Sequence, residues 1–158
     1  MSAVSRVFVA RLSGLPVVGP DGESVGRVRD AVLGLRADRK APRVLGLAVE
    51  LANRRRIFVP MLRVTSIEPA AVTLNTGSVS LRRLHIRPGE ALALGQLLGT
   101  KVRIEEPGEP YDGADATVVD VGIEQTRTRD WVVHRLAVKI RATGGNRRGG
   151  VQVPLSRC

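Results

Sequence analysis

The sequence predicts a mainly β protein, folded as two tandem small barrels of about six strands each, with one short linker helix or helical turns. Three observations predict it. First, the chain repeats itself. Val7–Val17 lines up without a gap on Leu92–Val102, Asp30 falls on Asp120, Leu47–Val49 on Leu136–Val138, and Val59-Pro60 on Val153-Pro154, at offsets of 85, 90, 89 and 94. An ordered set of marks whose spacing drifts only at turns means two copies of one small fold. Second, strand signals are short and turns recur every 8–12 residues, the pattern of a small barrel. Third, hydrophobic residues make up 43% of the chain but aromatics only 3%, so the cores must be built from Val, Leu, Ile and Ala. The copies are placed at residues 1–76 and 91–158, joined by a linker at 77–90.

Each element follows from local chemistry. Val7 to Arg11 alternates weakly as a first strand. Arg11-Leu12-Ser13-Gly14 and Gln96-Leu97-Leu98-Gly99 each look like one helical turn closed by glycine. Val17-Val18 ends in the turn Gly19-Pro20-Asp21-Gly22, where Pro presets φ and Gly accepts a positive φ. Along Val25–Leu35, strict alternation puts Val28, Asp30, Val32 and Gly34 on one face and Arg27, Arg29, Ala31 and Leu33 on the other. Arg43 to Leu51 reads as a buried strand, Asn53–Arg56 as a charged turn, and Ile57–Pro60 as a strand that ends at proline. Arg63–Ile67 and Val72–Leu74 form a hairpin around Glu68–Ala71. Val79 to Ile86 is a short helix or a packed linker between Thr76-Gly77-Ser78 and Arg87-Pro88-Gly89-Glu90. In the second copy, Glu105–Gly113 is a long acidic turn and Thr143–Gly150 a basic, flexible loop.

Composition bounds the function. The net charge is +10, with 15 basic and 6 acidic residues in 1–87 against 10 and 9 in 88–158. The first copy therefore carries the field, and its partner is expected to be anionic. One cysteine, Cys158, excludes an internal disulfide or a cysteine metal site and suits a cytoplasmic location. No apolar run approaches ~18 residues, so no membrane insertion of this segment is expected. The N-terminus lacks the long apolar stretch of a signal peptide.

Chemistry is sparse. A nucleophile, a base and an orienting group must meet in a pocket; the histidines are His85 in the linker and His134 in a strand, Trp131–Leu136, where it is read as an outward or partly packed strand histidine. The chain is read as non-enzymatic, with no cofactor and no metal. Asp30 and Asp120 are read first as carboxylates that satisfy backbone N–H groups near a turn, and second as a shared ligand-binding carboxylate. The acidic turn, Glu105, Glu106, Glu109, Asp112 and Asp115, offers oxygen ligands but no EF-hand spacing, and is read as solvated. Trp131 is a core plug or else an interface anchor. The best binding chemistry is Arg54, Arg55 and Arg56, with Arg82-Arg83 in the linker and Arg147 and Arg148 in the equivalent loop of the second copy. Arginine forks grip carboxylate or phosphate. Only Phe8, Phe58, Tyr111 and Trp131 are available to stack on bases, and Phe8 and Phe58 fall in core strands. An acidic protein surface or adjacent domain is therefore preferred over nucleic acid as the partner.

These residues also resemble a known family. Leu12–Val17, the strand Gly26–Asp30 leading into Ala31-Val32, the buried strand Val44–Val49 and the strand ending Val59-Pro60 resemble a PRC-barrel domain, over residues 5–75 and more loosely over 91–156. The resemblance implies an SH3-like six-stranded barrel in each copy. Gly22–Asp30, Phe58–Val64 and Gly122–Trp131 look like an actinobacterial group in which tandem PRC-barrels precede a helical magnesium-transporter N-domain and paired CBS domains. That implies a cytoplasmic regulatory or docking part of a longer protein. The same family includes a ribosome maturation factor, which implies an RNA- or ribosome-associated adaptor as the second reading.

Overall fold

The computed structural model describes residues 3–35, 41–77, 82–105 and 107–140, and the backbone of 149–154. In chain order the elements are β1 (Arg6–Phe8), α1 (Val9–Leu12), β2 (Pro16–Val18), β3 (Ser24–Gly34), β4 (Arg43–Glu50), β5 (Arg56–Pro60), a 3-10 turn (Met61–Arg63), β6 (Val64–Ile67), β7 (Val72–Leu74), β8 (Glu90–Leu92), a π-helical turn (Ala93–Leu97), β9 (Lys101–Arg103), β10 (Asp115–Gln125), β11 (Trp131–Ile140) and β12 (Gly149–Pro154). The chain is mainly β, as its composition and turn spacing predict, and its strands form one curled sheet.

Two long bulged ribbons make the frame. β3 pairs antiparallel with β4, with irregularities between Val28 and Asp30 and between Val32 and Leu33. β10 pairs with β11, with irregularities between Val118 and Asp120 and between Gly122 and Ile123. All four marks are 90 residues apart between the two ribbons. β5 continues the first ribbon, with Leu47 opposite Val59, and β12 continues the second, with Leu136 opposite Val153. In the first half β2 and β7 pair in parallel and lead to β6. The two ribbons join where Val132 of β11 pairs with Arg43 of β4.

The bulges correct the alternation read from the sequence. Strict alternation separates Val28, Asp30 and Val32 from Ala31 and Leu33. A bulge adds a residue and shifts the parity of everything after it. Val28, Ala31 and Leu33 accordingly share the core, while Asp30 and Val32 are buried as well. β8 pairs along the free edge of β3, with Val32 opposite Leu92 and Leu33 opposite Ala91, and the turn after β8 reaches Asp30 through the Leu94 and Gly95 N–H groups.

This crossing is the central feature of the fold. The leading strand of each half pairs with the other half. β1, at the start of the chain, pairs with β10 of the second half (Arg6 opposite Glu124, Phe8 opposite Gly122). β8, which opens the second half, pairs with β3 of the first. The hydrogen bonding thus crosses the boundary drawn at residues 77–90. The linker itself carries no helix over residues 82–89, and Arg83 instead bridges to Ile57 at the edge of β5. The rest of the linker expectation, 78–81, lies outside the described residues.

The helical turns appear where the glycines predict them. Gly14 and Gly99 have φ of +93° and +86°, a conformation glycine adopts without a steric cost. Each then donates its N–H to the facing strand, Gly14 to the Val28 carbonyl and Gly99 to the Val118 carbonyl. The core holds aliphatic residues from both halves, and Trp131 joins it at 6% exposure. Phe8 and Phe58 do not join the core as the sequence suggested. Both are half-buried, and their rings occupy the space where Gly122 and Gly46 would otherwise carry a side chain.

Candidate functional site: an arginine turn and two buried carboxylates

The turn between β4 and β5 is a tight hairpin loop. Leu51 donates to the Arg55 carbonyl and Arg54 to the Leu51 carbonyl, at 2.8 and 2.9 Å. Asn53 caps it by accepting the Arg55 N–H at 3.0 Å. Closing so short a loop requires one residue at positive φ, and Arg54 takes that place at +65°. The result is that Arg54 and Arg55 project from the tip, exposed, and among the described residues neither makes an ion pair.

Arg56 behaves differently. Glu50 stands across the hairpin from Arg56 and from Arg27 of β3. Its carboxylate accepts two hydrogen bonds from Arg29, at 2.9 and 3.1 Å, and lies 3.5 Å from Arg56 Nε. These guanidinium groups, Arg29 first, hold the Glu50 carboxyl below the usual glutamate range, against a smaller opposing effect of desolvation. The linker adds to the same edge: Leu84 donates to the Arg56 carbonyl at 3.0 Å, and Arg82 and Arg83 beside it are exposed. The structure therefore brings together Arg54, Arg55, Arg56, Arg82 and Arg83. Arg147 and Arg148 lie outside the described residues, as does Cys158.

Sequence reasoning missed Arg29 and Glu50. A signal was present, because Glu50 and Arg56 are equally spaced about Asn53 and so become cross-strand partners once the hairpin is drawn. Glu50 fixes two forks and leaves two open, which gives the tip a defined geometry for a carboxylate or phosphate.

Asp30 and Asp120 do what the structural reading asks, with an addition the sequence did not disclose. Asp30 is only 5% exposed. Its Oδ1 accepts the N–H groups of Ala31 (2.8 Å) and Leu94 (2.7 Å), and its Oδ2 that of Gly95 (2.8 Å). Leu94 and Gly95 belong to the π-helical turn of the other half. Reciprocally, Asp120 Oδ1 accepts from Val121 (2.8 Å) and from Ala10 (3.1 Å) in α1. Each carboxylate thus caps the first turn that reaches it from the opposite half, where N–H groups have no partner inside the helix.

His134 is a partly packed strand histidine. Its Nδ1 lies 3.1 Å from Glu124 Oε2, and Arg6 of β1 holds the other oxygen of Glu124 at 3.0 Å. The cluster fastens β1 to the second half. Among the described residues no group of three or more His, Cys, Asp or Glu side chains is placed to hold a metal ion, and no helix is long and apolar enough to cross a membrane.

A curled sheet built on two bulged ribbons fits the class of small β-barrel domains. Residues 5–80 match the PRC-barrel domain, and residues 91–155 match the Actinomycetes SH3 domain. The first half is thus similar to a PRC-barrel domain and the second to an SH3 domain, where a second PRC-barrel was expected. A comparison with curated proteins finds no match.

Proposed function

We propose that this chain is a non-enzymatic docking module that receives an acidic protein segment, in cis or from a partner, at the arginine turn of its PRC-barrel domain. One observation carries the reading: Arg54 and Arg55 stand exposed at the tip and, among the described residues, without ion pairs, while Glu50 holds the neighbouring Arg29 and Arg56. Two open forks beside two fixed ones favour recognition of paired carboxylates. We further infer that the two halves are copies of one unit, a reading supported by the shared bulge register and by the matched aspartates. A cytoplasmic location is part of the same proposal and is supported by composition.

The magnesium-transporter context is a finer proposal. It rests on the resemblance of Gly22–Asp30, Phe58–Val64 and Gly122–Trp131 alone, and would make the acidic partner an adjacent domain of a longer protein. The RNA- or ribosome-associated reading is favoured by the +10 charge but lacks exposed stacking aromatics.

Charge reversal tests the reading. Arg54→Glu with Arg55→Glu should weaken binding of a labelled polyglutamate peptide at low salt by about tenfold or more, since two charge-assisted contacts are lost. Unchanged binding would remove the arginine turn from consideration. Nucleic acid that co-purifies with the chain and is released as salt rises would favour the RNA reading instead.

A further inference from the structure

The SH3-like half carries a basic groove of its own. It lies on the outer face of β9, β10 and β11, has a volume of about 760 Å³, and its lining includes Lys101, Arg103, Thr117, Val119 and Lys139. The register explains the arrangement. Thr117 pairs with Lys101 on one side and Lys139 on the other, so two lysines flank a hydroxyl in one row across three strands. Ala116, which also borders the groove, and Val118, the alternate residues of β10, are buried. Asp115, opposite Arg103, is the one acid in the lining. Among the described residues none of these four charged groups makes an ion pair.

Edge protection accounts for only part of this charge. β9 pairs with β10 alone among the described strands, and charged side chains on such an edge discourage aggregation. β11, however, lies between β10 and β12, so Lys139 protects no edge. Val119, the extra residue of the first bulge, is left 36% exposed within the groove. Cations around an exposed aliphatic residue suit an extended acidic segment that carries some apolar side chains.

The groove and the arginine turn lie toward opposite ends of the β4–β11 pair. β4 and β11 meet antiparallel at Arg43 and Val132, near the start of each. From that point the two strands run in opposite directions. Glu50 lies seven residues beyond Arg43, and Lys139 seven beyond Val132. At about 3.3 Å per residue the two basic surfaces stand at most roughly 45 Å apart.

We propose that the groove is a second docking surface for an acidic peptide segment, so that one acidic partner is gripped at both basic surfaces. The partner's class rests on the docking reading above; the groove itself does not. Charge complementarity selects the occupant. Two weak sites joined by one strand of ligand gain affinity through effective concentration, by 10² or more where the ligand spans them.

The test uses the full chain and two fluorescein-labelled polyglutamate peptides, of about six and about 24 residues, in isothermal titration and anisotropy at low salt. Only the longer can span ~45 Å. The short peptide should fill two sites. Lys101→Glu with Lys139→Glu should abolish one, and Arg54→Glu with Arg55→Glu the other. The long peptide should bind at least tenfold more tightly than the short one, and either pair of substitutions should erase that advantage. Lys101→Gln with Lys139→Gln, which keeps side-chain length and adds no new charge, should show the same loss in weaker form with an unchanged melting temperature. If the lysine variants leave stoichiometry and the long-peptide advantage intact, the groove is not a docking surface. If the lysine variants lose binding and the arginine variants do not, the groove stands and the arginine turn falls. A thymidylate oligonucleotide that displaces polyglutamate from the groove would overturn the peptide partner.

Discussion

Asp30 and Asp120 stand at matching bulges of two strands, β3 and β10, yet they are not equally committed. Asp30 is buried and accepts three backbone N–H groups, two of them from the opposite half. Asp120 is less buried and accepts two, one of them from the opposite half at the longer distance of 3.1 Å. The turn over Asp30 is π-helical and starts at a buried alanine, Ala93. The turn over Asp120 is a single α-helical turn whose Ala10 is exposed. The two halves therefore clasp each other reciprocally but unevenly. The π turn brings two successive N–H groups to both oxygens of one carboxylate. The α turn brings one N–H to one oxygen. The difference teaches that the start of the second half is held more firmly than the start of the chain.

The sharpest way to break this comparison is to remove each carboxylate in turn. Asp30→Ala strands N–H groups in a buried site that water cannot easily reach, and should cost roughly 3 kcal/mol or more. Asp120→Ala, with one cross-half bond and more solvent access, should cost about 1–2 kcal/mol. Urea midpoints at constant m-value measure both. Equal losses would mean that the clasp is symmetrical and that the burial of Asp30 adds nothing. Because, among the described strands, β1 pairs with the second half and β8 with the first, Asp120→Ala should also loosen β1 and Asp30→Ala β8, in each case the strand that leads into the capped turn. Hydrogen exchange at Val7 and at Ala91 would report that loosening separately.

The residues that defined the strands were legible because their signals are local. The turn at Asp21-Gly22, the glycines at 14 and 99 and the run from Val44 to Val49 each announce themselves in a few residues. The bulges at Arg29 and Val119 were not legible. A single added residue leaves composition unchanged and alters only which residues face inward, so Ala31 and Leu33 were placed opposite Val28 and are found beside it. The exchange of β1 and β8 between halves was hidden for a different reason. Local pattern states that a strand exists and is silent on which half it pairs with. At the candidate site, Arg54 and Arg55 were readable as a charge run in a turn. The pairing of Glu50 with Arg56 follows from the hairpin, but its hold on Arg29 becomes visible only with the register of three strands.

The two hairpin tips sharpen the comparison further. Arg54 and Arg129 both sit at positive φ, 65° and 66°, in loops of the same build. The second loop is braced by Thr126, Thr128 and Asp130 through side-chain hydrogen bonds at 3.0 to 3.2 Å, the first only by Asn53. Glycine at either site should relieve the left-handed strain and, after its larger unfolded-state entropy is subtracted, add about 0.5–1 kcal/mol. Thermal melts should show both gains. Binding should separate them: Arg54→Gly is expected to weaken polyglutamate binding severalfold, and Arg129→Gly to leave it unchanged. A loss of binding with Arg129→Gly would move the docking surface to the other tip.

The smallest effect concerns Glu50. Glu124 bridges Arg6 and His134 across the two halves, whereas Glu50 bridges Arg29 and Arg56 within one. Arg29, followed by Arg56, holds the Glu50 carboxyl below its ordinary value in the folded chain. A depressed folded pKa means that the unfolded chain binds the proton first as pH falls. The stabilisation is therefore complete at neutral pH and is lost as pH drops through the folded pKa. Glu50→Gln removes it at every pH. The stability gap between wild type and variant should be open at neutral pH and close below the ordinary glutamate range. The gap should be small, because both arginines are substantially exposed and solvent screens the pair. Urea midpoints across an acid titration measure it, and a gap that persists undiminished into acid would show that Glu50 does not act through its charge. The same variant frees Arg29 and Arg56, so polyglutamate should bind it more tightly than wild type, which separates the role of Glu50 in the fold from its role in restraining the basic tip.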